Sequence, residues 1–355
     1  SREEALKVLD EHLVIPALHS EDIPLRETLG RVLAHDTVAS SNLPEFDRST
    51  MDGYAVRATD TFGAAESHPA LLTVAGEILM GTMPDRAIAK GECMKIATGG
   101  ALPQGADAVV MFEHVQPVDR TTIEVVKPVA PRDHVIAAGD DLKKGDRVLA
   151  KGQVIRPQDM SILASIGVVR VSVFERPRVA IISTGNEIVP ADATPGPGQI
   201  RDSNSYNLEG LITLAGGTTR RMGIIPDNEE RLRATLEDAM TDCHVALFSG
   251  GSSVGTADFT AKVINELGPP GVLVHGISVK PGKPLIVGMV KRKTSGEHIP
   301  VFGLPGHPAA VAICFELFVK PVITRFTGSV LPPVLEGIYL GQVVKAKLTR
   351  SVAST

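Results

Sequence analysis

The chain has 355 residues, 43% hydrophobic and only 4% aromatic with no Trp, and carries a net charge of −5 with a pI near 6.1. That apolar content excludes a disordered chain and supports cores for two or three domains. The acidic balance leaves no basic excess to neutralise phosphates, and the missing aromatics leave no stacking platform, so no nucleic-acid partner is expected.

In chain order, residues 1–35 read as helical. Ser1 and Glu4 fit a capping box, and Leu6, Leu9 and Leu13 share a face. Leu25, Leu29, Val32 and Leu33 predict a second helix after Pro24. Residues 37–54, rich in Ser, Asn, Pro and Asp, predict a long extended loop. Short apolar runs at 71–78, 93–97, 108–115 and 122–129, separated by Gly and Pro, predict an inserted β domain. A helix at 157–167 is expected to return to the N-terminal helices, which makes the first domain discontinuous. From 178 onward strands and helices alternate: strands at 179–182, 220–225, 244–248, 286–290 and 301–302, helices at 204–215, 228–239, 259–267 and 309–326. That alternation predicts a mostly parallel sheet with helices on both faces. After a Pro-containing linker, one strand-like run at 339–348 reads as the start of a truncated C-terminal β module.

Cys93, Cys243 and Cys314 are odd in number, widely spaced and flanked by apolar residues. They read as buried thiols of a reducing cytoplasm. The longest apolar run, 309–319, is interrupted by Glu316 and too short to span a bilayer, so no membrane partner is expected. No signal peptide is visible.

The functional centre is expected at 244–284. An apolar strand breaks into Ser249-Gly250-Gly251-Ser252-Ser253-Val254-Gly255 and then a helix opens at Asp258. A glycine-rich turn at a helix N-terminus suits an anion, because backbone N–H groups and the helix dipole point the same way. The glycine spacing is that of a P-loop, but Thr256 and Ala257 replace the Lys and Ser/Thr that would grip phosphate and magnesium. An ordinary tight turn is the plain alternative. Lys280 and Lys283 flank Pro281-Gly282, a stiff turn from which two ammonium groups could reach one anion. Ser183-Thr184-Gly185-Asn186-Glu187, Asp227 and Asp258 each follow a strand, as does Gly303-Leu304-Pro305-Gly306-His307-Pro308. They should therefore converge on one sheet edge, where such folds bind ligands. Glu187, Asp227 and Asp258 beside a phosphate site suggest a bridging Mg²⁺ or a proton-transfer role, although each alone reads as a helix cap. Asp52, Thr98 and the Asp140-Asp141 pair read as turn residues by pattern.

Six motifs then occur in order: Met51-Asp52-Gly53-Tyr54-Ala55, Thr98-Gly99-Gly100 with Gly105-Ala106-Asp107-Ala108-Val109-Val110, Ser183-Thr184-Gly185-Asn186-Glu187, Ser249-Gly250-Gly251-Ser252-Ser253-Val254-Gly255, Lys280-Pro281-Gly282-Lys283-Pro284 and Leu304-Pro305-Gly306. Together they resemble the molybdopterin molybdenumtransferase family, the bacterial MoeA proteins and the E domain of gephyrin. The resemblance covers nearly the whole chain. It implies a multi-domain α/β fold: a discontinuous domain at 1–43 and 139–172, an inserted β domain at 44–138, a molybdopterin-binding α/β/α domain at 173–327 and the start of a β domain at 328–355. It implies a transferase that inserts molybdate into adenylylated molybdopterin, releases AMP and uses Mg²⁺. It also implies that 249–253, Thr98, Asp141, Glu187, Pro305 and Gly306 bind substrate, and that Asp52, Asp227, Asp258, Lys280 and Lys283 act in catalysis, the lysines on molybdate. The family forms a homodimer whose site faces both subunits, so Asp52, Thr98 and Asp141 would complete the partner's pocket. A molybdopterin adenylyltransferase is the expected donor protein. Two departures stand out: His307 and Ala310 occupy positions where the family often has Asn and Ser. The alternatives are an adenylyltransferase, which shares the α/β domain but lacks the N-terminal half, and a gephyrin-like scaffold.

Overall fold

A computed structural model of the chain describes residues 2–14, 19–250 and 254–330, with the backbone alone at 2 and 254–258. The predicted strand at 339–348 lies outside the described residues. The described residues form two compact units, one from 1–35, 151–160 and 170–330, the other from 36–150 and 161–169.

The first unit is built on a six-stranded sheet. Its strands are β1 (Arg178–Thr184), β2 (Thr218–Ile225), β3 (Val245–Gly250), β4 (Gly271–His275), β5 (Ile286–Lys291) and β6 (His298–Leu304). They lie in the order β2-β1-β3-β6-β5-β4. The first four of that order run parallel, and β5 pairs antiparallel with both of its neighbours. The helices are α1 (Arg2–His12), α2 (Pro157–Ser165), α3 (Asn204–Leu214), α4 (Glu229–Asp242), α5 (Val254–Glu266), α6 (Pro308–Cys314) and α7 (Lys320–Phe326). A π-helical turn, Phe315–Val319, joins the last two.

Alternation along the central strands explains the layering. Val179, Ile181, Val245 and Leu247 pack with α1, α3, α6 and α7 on one face. Ala180, Ile182, Ala246 and Phe248 pack with α4 and α5 on the other. A strand buried on both faces needs an unbroken apolar run, which is what 179–182 and 245–248 supply. Each large side chain so buried contributes about 1.5–3 kcal/mol. The expected mostly parallel sheet between two helical layers is therefore present, with one added strand: β4 was not expected.

The predicted second N-terminal helix is absent. Ser20–Pro24 is instead a strand paired antiparallel with Arg170–Phe174, followed by a 3-10 turn at Leu25–Glu27. Val32 and Leu33 are buried in extended backbone that bridges to Val154 and Val173. Their helical spacing misled because two flanking segments offered strand partners, and tertiary pairing overrides a weak local preference. Residues 37–54 are largely irregular as expected, apart from short strands at Thr37–Val38, Arg48–Ser49 and the start of Gly53–Val56.

The second unit carries a six-stranded sheet ordered Ala108–Met111, Gly53–Val56, Glu92–Ile96, Ala70–Glu77, Thr122–Val125, Val115–Pro117. The predicted strand at 108–115 is split by a 3-10 turn at Phe112–His114.

All three cysteines are free and buried, and burial pushes their thiols up, to about 12 at Cys93 and Cys243 and about 11 at Cys314. They are structural rather than nucleophilic. At the N-terminal end of β3, His244 Nδ1 accepts a hydrogen bond from the Arg178 backbone N–H at 3.0 Å. Desolvation, then the Arg178 and Arg292 charges, hold this imidazole below its usual pKa despite Glu297 and Glu175 nearby. The neutral form is thus favoured by folding. Its contribution is present above an unfolded pKa of about 6.5 and is lost as pH falls from there through the lowered folded value. His244→Gln keeps an acceptor for Arg178 without the titration. Between pH 7.5 and 5.5 the wild-type melting temperature should fall by about 2 °C more than that of the variant in calorimetry; parallel curves would rule this out.

Candidate active site on the sheet edge

In a parallel sheet the C-terminal ends of all strands share an edge. Here β2, β1, β3 and β6 end side by side, at Ile225, Thr184, Gly250 and Leu304. The register places Ser183 against Ser249 and Ser249 against Leu304. β4 also ends at this edge, so the turn holding Lys280 and Lys283, between His275 and Ile286, lies on it too. The structure thereby places Glu187, Asp227, Ser249, Gly250, Lys280, Lys283, Pro305 and Gly306 along this edge, with Asp227 after β2 at one end of the strand order and the lysine turn after β4 at the other. Gly251, Ser252 and Ser253 lie outside the described residues, as does the Asp258 side chain.

A cavity of about 200 Å³ opens at this edge, lined by Ser183, Glu187, Asp202, Asn204, Ser249, Gly250 and Gly306 among others. Gly250 makes its wall possible. Its φ is +120°, and a Cβ there would stand 2.0 Å from the Thr184 carbonyl oxygen. Only glycine lets the end of β3 close this tightly on β1.

Asp202 and Asn204 were missed by the sequence reading. Asp202 is 6% exposed; it accepts from Ser183 Oγ at 2.7 Å and from the Ser205 N–H at 3.1 Å. It caps α3 and fixes the hydroxyl at the end of β1. Asn204 Nδ2 donates to the Gly306 carbonyl at 2.8 Å, tying α3 to the turn after β6, and its Oδ1 is buried without a partner among the described residues. The signal was available: Asp-Ser-Asn immediately before an apolar helix is an N-terminal cap pattern.

Asp227 follows β2, its N–H donating to Asn186 Oδ1 at 3.3 Å. Burial first, and the Glu187 carboxylate second, push its acid up from the usual range. Its Oδ1 is buried and has no hydrogen-bond partner among the described residues. Two carboxylates that repel each other, one with an unsatisfied buried oxygen, form a place for a cation. Among the described residues no three His, Cys, Asp or Glu side chains gather as a metal site. Mg²⁺ is compatible with this, because it takes one or two carboxylates plus substrate oxygens.

Lys280 and Lys283 are both exposed, and among the described residues neither has an ion-pair partner. Gly282 between them is set by packing. A Cβ there would stand 2.9 Å from Cys314 Sγ, so the glycine lets the turn seat on α6. Of the two departures from the family pattern, Ala310 is buried at 3% exposure and does not line the cavity, while His307 is exposed at the start of α6.

In the second unit Asp52 and Thr98 meet. Asp52 Oδ1 accepts from the Thr98 N–H at 2.7 Å and from its Oγ1 at 3.0 Å, and these two bonds hold the carboxyl below its usual range. Gly53 is required beside it, since a Cβ would stand 1.9 Å from the Val110 carbonyl oxygen. Asp141 is exposed and sits 3.8 Å from Arg48. These three residues share a unit with one another and not with the cavity residues.

Residues 1–167 match the model of the MoeA N-terminal region (domain I and II), and 180–325 match that of a probable molybdopterin binding domain. The chain is 39% identical over 308 residues to the putative molybdopterin biosynthesis protein MJ0666 of Methanocaldococcus jannaschii, covering 84% of this chain and 73% of that protein. It is 31% identical over 350 residues to a molybdopterin molybdenumtransferase of Staphylococcus aureus, covering 97% and 80%. A solved molybdopterin biosynthesis moeA protein from Pyrococcus horikoshii OT3 superposes with a TM-score of 0.78 at 36% identity, covering 92% of this chain and 79% of that one. With both halves matched in order and a relative above 30% identity aligned along nearly its whole length, the chain belongs to the molybdopterin molybdenumtransferase (MoeA) family.

Proposed function

We propose that this enzyme inserts molybdate into adenylylated molybdopterin and releases AMP, as part of molybdenum cofactor biosynthesis. The observation that carries the reading is that four parallel strand ends and the 280–283 turn lie along one edge of the sheet. That edge combines a glycine-walled cavity, a cation-seeking carboxylate pair and two ammonium groups with no ion-pair partner among the described residues. A pyrophosphate, a divalent cation and a second oxyanion need those three features. The Gly250 turn and the cavity behind it hold phosphate oxygens. Lys280 and Lys283 attract molybdate. Asp227 and Glu187, with Asp258, would hold Mg²⁺, which when bound supplies positive charge against the phosphate oxygens. Asp52, Thr98 and Asp141 approach from the partner subunit of a homodimer, and a molybdopterin adenylyltransferase delivers the substrate. An adenylyltransferase reading is disfavoured, because the match over residues 1–167 is to the MoeA N-terminal region.

The direct assay is AMP release, followed by chromatography, when molybdate is added to enzyme and adenylylated molybdopterin. Lys283→Ala should raise the molybdate concentration needed for half-maximal release by about tenfold, the effect of losing one charge contact of ~1.4 kcal/mol, with little change in folding. An unchanged molybdate dependence would remove Lys283 from the oxyanion site.

A further inference from the structure

In the second unit, two residues other than glycine hold left-handed backbone, Arg132 with φ +74° and His134 with φ +59°. A side chain resists that conformation, so it persists only where neighbours over-determine it, and such strain gathers near functional sites. The Arg132 N–H donates to the Asp107 carbonyl at 2.7 Å, and the Val109 N–H donates to the Asp133 carbonyl at 3.1 Å. The Thr50 N–H donates to the His134 carbonyl at 2.9 Å. The strained turn thus joins the strand Ala108–Met111 to the segment that leads into Asp52.

Asp47 holds the start of that segment. One carboxylate oxygen accepts from the Ala138 N–H at 2.8 Å, the other from Arg132 Nη1 at 2.7 Å. The Ala138 N–H first, then Arg132, outweigh burial and hold this carboxyl below its usual range, so it is charged at neutral pH. On its other side the segment is fixed to 99–102. The Leu102 N–H donates to the Asp47 carbonyl at 2.9 Å, the Ser49 N–H to the Gly100 carbonyl at 3.0 Å and the Gly99 N–H to the Ser49 carbonyl at 2.8 Å. The buried Ser49 hydroxyl donates to the Met51 carbonyl at 2.5 Å. Residues 47–51 are therefore held from two sides, and they end at the Asp52 carboxylate that Thr98 caps.

We infer that Asp47, clamped by Arg132 and Ala138, is a positioning residue for the Asp52–Thr98 pair, which on the function proposed above meets the substrate. Asp47 needs no contact with substrate itself. It fixes where the Asp52 carboxylate points, and a displacement of about 1 Å in such a group costs about 10²-fold in rate. The clamp requires a carboxylate: both oxygens face N–H donors, and an amide would turn its own NH₂ toward one of them.

The test uses the whole protein and two independent readouts. Arg132→Gly suits the left-handed backbone and removes the guanidinium. Its melting temperature should equal or exceed that of the parent, while AMP release at saturating molybdate falls about tenfold and the molybdate concentration for half-maximal release stays unchanged. Asp47→Asn should fall by about tenfold or more, and the double variant should be no slower than Asp47→Asn alone, because both act through one clamp. A role in stability alone would make rate follow melting temperature; in Arg132→Gly the two should part. Hydrogen exchange read by mass spectrometry does not depend on the reaction. Protection of the Thr98 N–H, which is bonded to Asp52 itself, should drop about tenfold in both variants. Parental rate in either folded variant, parental protection at Thr98, or a double variant slowed by the product of the two single effects overturns the inference. So does a loss of rate in Arg132→Gly that comes only with a lower melting temperature. The two readings fail separately. A parent that releases no AMP on adding molybdate removes the proposed reaction, and exchange at Thr98 then decides the clamp; a parent that releases AMP, with variants of unchanged rate, retains the reaction and removes the positioning role.

Discussion

Asp227→Asn should slow molybdate-dependent AMP release by about 10²–10³-fold while raising the melting temperature at neutral pH. The two effects have one cause. Asp227 is half-buried, repelled by Glu187, and keeps one buried oxygen without a hydrogen-bond partner among the described residues. Such a group costs stability when no cation is present. It persists because its charge acts on the cation and phosphates of the bound substrate, and removing a preorganised charge of this kind costs about that factor. Asn keeps the shape and removes the repulsion. The gain in stability is about 0.5–1 kcal/mol after allowing for the part of the side chain that water still screens. The sign with pH follows from the raised folded pKa. Protonation of Asp227 favours the folded state, so its stabilising term is full below the unfolded pKa of about 3.9 and is lost as pH rises through the folded value. The gap in melting temperature between variant and wild type should therefore be widest near neutral pH and close on acidification. Chromatography of AMP and calorimetry at pH 7.5 and 5 check both halves. Full activity, or a variant less stable than wild type at pH 7.5, would contradict the assignment.

The α/β unit was legible because its strands are buried on both faces. An unbroken Val179-Ala180-Ile181-Ile182 admits few readings, and alternation with helices then fixes where the strand ends lie. Hence the convergence of Glu187, Asp227, Gly250 and Gly306 could be read from order alone. β4 was not legible: Gly271–His275 is half-exposed and follows Pro269-Pro270, and its apolar run, Val272-Leu273-Val274, is only three residues long. The Ser20–Pro24 strand failed for a related reason. Its partner, Arg170–Phe174, is some 150 residues away in sequence, and nothing local announces the pairing. The Asp52–Thr98 contact is similar. By pattern both are turn residues; only the sheet pairing of Gly53 with Ile96 brings the carboxylate to the threonine. Family resemblance supplied the roles that pattern could not. Asp202 and Asn204 show the opposite case, a local signal present but passed over, because a helix cap has a sufficient structural explanation until its partners across the sheet edge are seen.

Gly250→Ala should be the most damaging single-methyl change at the site. The added carbon would stand 2.0 Å from the Thr184 carbonyl oxygen, which is backbone of the adjacent central strand and not a side chain able to rotate away. The φ of +120° is in addition one that an L side chain resists. Either β3 withdraws from β1 or the turn after it rebuilds, at a cost of about 3 kcal/mol or more. For a unit of this size that is roughly 6–12 °C in melting temperature. Gly210→Ala is the matched control. That glycine lies within α3 with nothing near its Cβ position, so the methyl should stabilise by about 0.5–1 kcal/mol through helix propensity alone. If Gly250 only terminated a strand, a temperature at which the variant is still folded would restore AMP release. If it also forms the phosphate wall, release at that temperature should remain at least about 10²-fold down, because a strand end displaced from β1 no longer holds Gly250 in place on that wall. The second outcome is expected, since Gly250 lines the cavity as well as ending the strand.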